Sequence, residues 1–114
     1  MSGDGQLRIV TQQRADRLIV ELHGELDMVS SPQLGEAFAE LDPGARDPIV
    51  LDLHNVSFLD STGLKAIFAA RNVASERGQQ FAVTHGSPQV QRLLSLTRLG
   101  EHLTMIETAD AVLA

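Results

Sequence analysis

One stretch constrains this chain more than any other: Ile49 to Leu64, I-V-L-D-L-H-N-V-S-F-L-D-S-T-G-L. It opens on Ile49-Val50-Leu51, is broken by Asp52 and resumes at Leu53. A short β-rich run with little alternation belongs to a strand buried on both faces, as in a parallel sheet. Val56, Phe58 and Leu59 carry apolar character up to Asp60. The period then changes: Leu64, Ile67, Phe68, Arg71 and Ala74 share one helical face. Asp60, Ser61 and Thr62 are all residues that favour a helix N-cap. The stretch is thus a strand running into a helix. It sets a hydroxyl where backbone N–H groups lack helical partners and the dipole is positive. Such a position suits a phosphate.

The flanking chain alternates strands with helices. Leu7–Thr11 and Leu18–Leu22 read as strands around a polar turn at Ala15-Asp16-Arg17. Ser30 or Ser31 caps a helix with Pro32 at its first position, and Leu34, Phe38 and Leu41 form its buried stripe. Asp42-Pro43-Gly44 ends it. The central strand is placed at Ile49–Leu53 and its helix at Thr62–Arg77, with Gly78 as a left-handed cap. Phe81–Thr84 is a further strand. Ser87-Pro88 starts a helix with Val90, Leu93, Leu94 and Thr97 on one face, and Gly100 closes it. Leu103–Ile106 is the last strand, and Thr108–Leu113 is expected to be a short amphipathic helix. This order predicts an α/β fold, with a mixed, mostly parallel sheet of about five strands and about four helices. The first strand is expected at an antiparallel edge.

Composition removes several functions. The 114 residues suffice for one core, with residues 1–6 expected as a flexible N-terminus and 7–114 as a single domain. A net charge of −6 argues against nucleic acid or anionic membrane as main partner. Cysteine is absent, which excludes disulfides and thiolate chemistry. The start has neither a basic n-region nor an apolar h-region, and no run is long enough to span a membrane. A cytoplasmic location follows as the expectation. His23, His54, His85 and His102 lack metal-ligand spacing, so no metal or cofactor is expected. The glycine before a nucleophile elbow, a Walker lysine and a Rossmann glycine pattern are all missing, so the chain reads as a non-enzyme.

The carboxyl ends of parallel strands share one rim, where partners are usually met. Gly24–Asp27, Asp60–Gly63 and Thr84–Gly86 reach that rim, which predicts that Asp27 and Ser61 are spatial neighbours. Read without further context, Ser61 is a plain cap and Asp27 a solvated loop carboxylate. Asp52 is odder, a charge inside an apolar strand, either at an edge or capping a neighbouring backbone group.

Val50–Leu64, with G-E-L-D at Gly24–Asp27 and S-P-Q-V-Q-R-L-L at Ser87–Leu94, resembles the STAS domain, specifically the stand-alone bacterial anti-sigma-factor antagonists. The resemblance spans about Leu7 to Leu113 and implies a strand-helix superhelix. It implies that the unmodified protein binds an anti-sigma factor that is also a serine kinase, and so releases the sigma factor. Phosphorylation abolishes binding, and a serine phosphatase restores it. The phosphoacceptor maps onto Ser61. Gly24, Asp27, Asp60, Thr62, Gly63 and Leu64 map onto partner-binding positions, with Thr62 a second candidate acceptor. Oligomeric state stays open between monomer and weak dimer. A second reading from a different class is a non-switching STAS scaffold or transport-complex subunit.

Overall fold

A computed structural model describes residues 6–113. Apart from Gln6, the expected flexible N-terminus at 1–6 lies outside the described residues. Five strands and three α-helices alternate after an opening hairpin: β1 (Leu7–Gln13), β2 (Leu18–Leu26), α1 (Ser31–Ala39), β3 (Ile49–Leu59), α2 (Ser61–Glu76), β4 (Phe81–Thr84), α3 (Pro88–Thr97) and β5 (Met105–Ile106). The sheet order is β1-β2-β3-β4-β5. β1 is antiparallel to β2, and every later pairing is parallel.

Strand order never reverses, so right-handed crossovers place the helices on one face. That face holds the main core, where Val20, Leu22, Leu51, Leu53 and Val83 of the sheet meet Leu34, Phe38, Leu64, Ile67 and Leu94 of the helices. The alternate side chains Ile19, Val50, Ala82 and Ile106 form a thin strip on the opposite face, covered by Ala109, Ala111 and Leu113. Ile49, Val50 and Leu51 are buried on both sides, as the unbroken apolar run requires.

β1, β2 and β3 are all longer than their patterns indicate, which placed them at Leu7–Thr11, Leu18–Leu22 and Ile49–Leu53. β3 continues to Leu59 because β2 runs beside it as far as the Leu26–Leu59 pair, with two register shifts on the way. β4 accompanies β3 only to the Leu51–Val83 pair, so the distal half of β3 has one neighbour and loses its apolar run. Where that ladder stops, Thr84 takes over: its hydroxyl accepts from Leu53 N–H at 2.8 Å and lies 3.0 Å from Asp52 Oδ1. Asp52 Oδ1 also accepts from His54 N–H at 3.0 Å. The odd carboxylate therefore caps local groups where the strand changes neighbours.

The expected helix at Thr108–Leu113 is not formed. The buried Arg17 guanidinium donates to the carbonyls of Ala109 and Ala111, at 2.9 and 2.7 Å, holding the segment as turns across the sheet. The helix after Pro88 closes on Arg98 in a left-handed conformation, φ 59°, and Gly100 lies in the following 3₁₀ turn. β5 is correspondingly short.

Candidate functional site

The carboxyl ends of β2 and β3 meet where α1 and α2 begin. α2 starts at Ser61, and its N-cap is Asp60, whose Oδ1 accepts from Gly63 N–H at 2.8 Å. The other oxygen of Asp60 accepts from Met28 N–H at 3.3 Å, linking the helix start to the β2–α1 loop. Asp60 N–H in turn donates to the Leu26 carbonyl at 3.4 Å. Gly63 completes the joint. A Cβ on it would lie 2.2 Å from Leu26 O and 2.8 Å from Leu59 Cδ1, so only glycine lets the helix come this close. The two sequence motifs are therefore in direct contact.

With Asp60 as cap, Ser61 is released from that duty. It is the first residue of α2, it is exposed, and its hydroxyl has no hydrogen-bond partner among the described residues. The N–H groups of Ser61 and Thr62 likewise meet no acceptor among them. Thr62 is half-buried. A nucleophilic hydroxyl thus stands in the open at a helix start, beside two free donors, where an added phosphate would be held rather than repelled.

Asp27 does not reach out as a solvated loop carboxylate. Its Oδ1 accepts from the N–H groups of Val29 and Ser30, both at 3.0 Å, and its carbonyl accepts from Ser31 N–H at 2.8 Å. The Ser30 hydroxyl donates to the Glu25 carbonyl at 2.7 Å and accepts from Asp27 N–H at 3.0 Å. Asp27 therefore shapes the loop that leads into α1.

Gly24, grouped with the partner-binding residues on sequence, lies inside β2 at φ +113° with Gln6 O only 2.5 Å from a notional Cβ. Leu64, 2% exposed, is a core residue, and Gly63 is also buried. Crowding accounts for both glycines and core packing for Leu64. Sequence reasoning missed an exposed apolar pair in the β2–α1 loop, which Asp60 ties to the start of α2. Met28 is 70% exposed and Val29 67%. An apolar pair between Asp27 and the serine cap, outside any helical or strand period, was the available signal. Among the described residues no group of His, Cys, Asp and Glu is placed to hold a metal, and no helix is long and apolar enough to cross a membrane.

Residues 9–107 match the family model described as "Mlab, STAS domain". The chain belongs to the STAS-domain family. It is 34% identical over 94 residues to the anti-sigma F factor antagonist of Paenibacillus polymyxa, covering 82% of this chain and 80% of that one. It is 32% identical over 92 residues to the anti-sigma-B factor antagonist of Staphylococcus aureus, covering 80% and 84%. The crystal structure of an anti-sigma factor antagonist from Mycobacterium paratuberculosis superposes with a TM-score of 0.76 at 26% identity, over 96% of this chain and 93% of that one.

Proposed function

We propose that this STAS domain is an anti-sigma-factor antagonist switched by phosphorylation of Ser61. The unmodified protein binds an anti-sigma factor with serine-kinase activity and so frees a sigma factor in the cytoplasm. The kinase phosphorylates Ser61 and ends the interaction, and a serine phosphatase renews it. The chain acts here as binding partner and substrate, not as catalyst.

The observation that carries this reading is the free, exposed Ser61 hydroxyl at the joint of the two motifs, with Asp60 doing the capping in its place. The names of the relatives agree with the antagonist role. The physics agrees with a switch. Phosphate adds roughly −1.5 to −2 charges and three acceptor oxygens. At a helix start this leaves the fold intact, and negative charge there is favourable by about 0.3–1 kcal/mol. Its effect falls on the docked partner. Met28 and Val29 provide an apolar surface beside the helix start, and a phosphate on Ser61 would bring added charge and bulk that a partner docked there must desolvate.

The test is to capture partners on the wild-type chain, Ser61→Ala and Ser61→Asp. An ATP-binding anti-sigma kinase retained by the first two and lost by Ser61→Asp, with thermal stability unchanged, supports the switch. Equal capture by all three refutes it, and a transport complex in place of the kinase would favour a constitutive module.

A further inference from the structure

The outer edge of β1 is open, and α1 runs beside it. Arg14 N–H donates to Arg17 O at 2.8 Å and Glu25 N–H to Gln6 O at 3.1 Å. With the antiparallel register, these bonds identify the even-numbered residues of β1 as those bonded to β2. Leu7, Ile9, Thr11 and Gln13 therefore direct their N–H and C=O groups outward. The Leu7 carbonyl receives the Gln33 side-chain amide at 3.3 Å. The outward backbone groups of Ile9 and Thr11 meet no partner among the described residues. Natural sheets blunt such edges with proline, bulges or a cover. β1 contains no proline, and its pairing with β2 has no register shift.

Between this edge and α1 lies a groove of about 490 Å³. Its floor is Ile9 and Thr11, and its wall includes Glu36, Ala37, Glu40 and Leu41. Glu36 and Ala37 lie on a flank of α1 away from the buried Leu34 and Phe38, Glu40 caps the helix and Leu41 follows it. Glu36 and Glu40 are exposed, and their carboxylates have no ion-pair or hydrogen-bond partner among the described residues. Four residues apart on a helix, like charges repel each other. The groove thus combines unused strand hydrogen bonds with uncompensated negative charge.

We propose that the outer edge of β1 takes an extended, basic segment of a partner protein as a sixth strand. Main-chain bonds to Ile9 and Thr11 supply affinity, and alternate lysine or arginine side chains meet Glu36 and Glu40. A second copy of this chain does not fit as well. Its own β1 offers Leu7, Ile9, Thr11 and Gln13 on the α1 side, none of them cationic. The groove does not include Ser61, so this contact is independent of the phosphorylation switch.

The test uses a short end-capped peptide of alternating lysine and valine, followed by NMR amide exchange on the full chain. Saturable binding with slowed exchange at Ile9 and Thr11 is expected. Glu36→Gln with Glu40→Gln should weaken it on the order of tenfold, since two partly exposed pairs are lost. Thr11→Pro removes an outward N–H while sparing the β1–β2 ladder, so it should abolish binding with circular dichroism unchanged. Unslowed exchange, equal binding of a glutamate–valine peptide, or protection of the same amides by self-association without peptide would each overturn the proposal.

Discussion

Replacing Gly63 by alanine sets two effects against each other. Helix propensity alone favours the change by up to about 1 kcal/mol, because glycine is the poorer helix former. The contact geometry opposes it. The new Cβ would meet Leu26 O at 2.2 Å and Leu59 Cδ1 at 2.8 Å. The nearer atom is backbone at the end of β2, so relief requires the helix start to move. Overpacking of this kind costs roughly 1–3 kcal/mol, occasionally more. The net loss should be about 1 kcal/mol, or on the order of 4 °C in Tm for a chain of this size. The same movement pulls Asp60 from Met28 N–H, so partner binding should fall further than stability explains. Gly35→Ala is the matched control. Gly35 lies within α1, exposed, with nothing within 4 Å of its notional Cβ. There propensity acts alone, and the protein should gain roughly 0.5–1 kcal/mol. Thermal and urea unfolding of both variants measures the contrast. If Gly63→Ala is as stable as Gly35→Ala, the close approach of α2 to β2 is wrong.

Asp27→Ala removes the acceptor for two backbone N–H groups before α1, so it should lose about 0.5–2 kcal/mol in urea unfolding, as helix caps do. A stability equal to wild type would show that those bonds contribute nothing. Met28→Asp with Val29→Asp changes exposed side chains only and should stay within about 0.5 kcal/mol of wild type; titration calorimetry should show strongly weakened partner binding, and unchanged affinity would remove the patch from the interface. Thr84→Val leaves the buried Leu53 N–H without an acceptor, and chemical denaturation should reveal a loss of about 1–3 kcal/mol.

The apolar run at Ile49 and the S-P starts at Ser31 and Ser87 were strong enough to give the element order, the mixed sheet and the antiparallel first strand. Periodicity could not show where β3 ends, because beyond Leu53 its burial depends on how far β2 and β4 accompany it. The tail from Thr108 to Leu113 looks amphipathic, yet Arg17, far away in sequence, claims the Ala109 and Ala111 carbonyls. Such a long-range competitor leaves no local mark. At the site, the rim argument correctly joined the two motifs. Local pattern alone made Ser61 the cap of a helix starting at Thr62, because Asp60, Ser61 and Thr62 all suit the position; the helix starts one residue earlier. The structure assigns Asp60, and that choice is what leaves Ser61 free.

The most direct test incubates the protein with the anti-sigma kinase that the proposed function assigns to it and with ATP, then maps the modification by mass spectrometry. A single phosphate on Ser61, and none on the Ser61→Ala protein, is the predicted result. A phosphate on Thr62, or undiminished labelling of Ser61→Ala, would contradict the account.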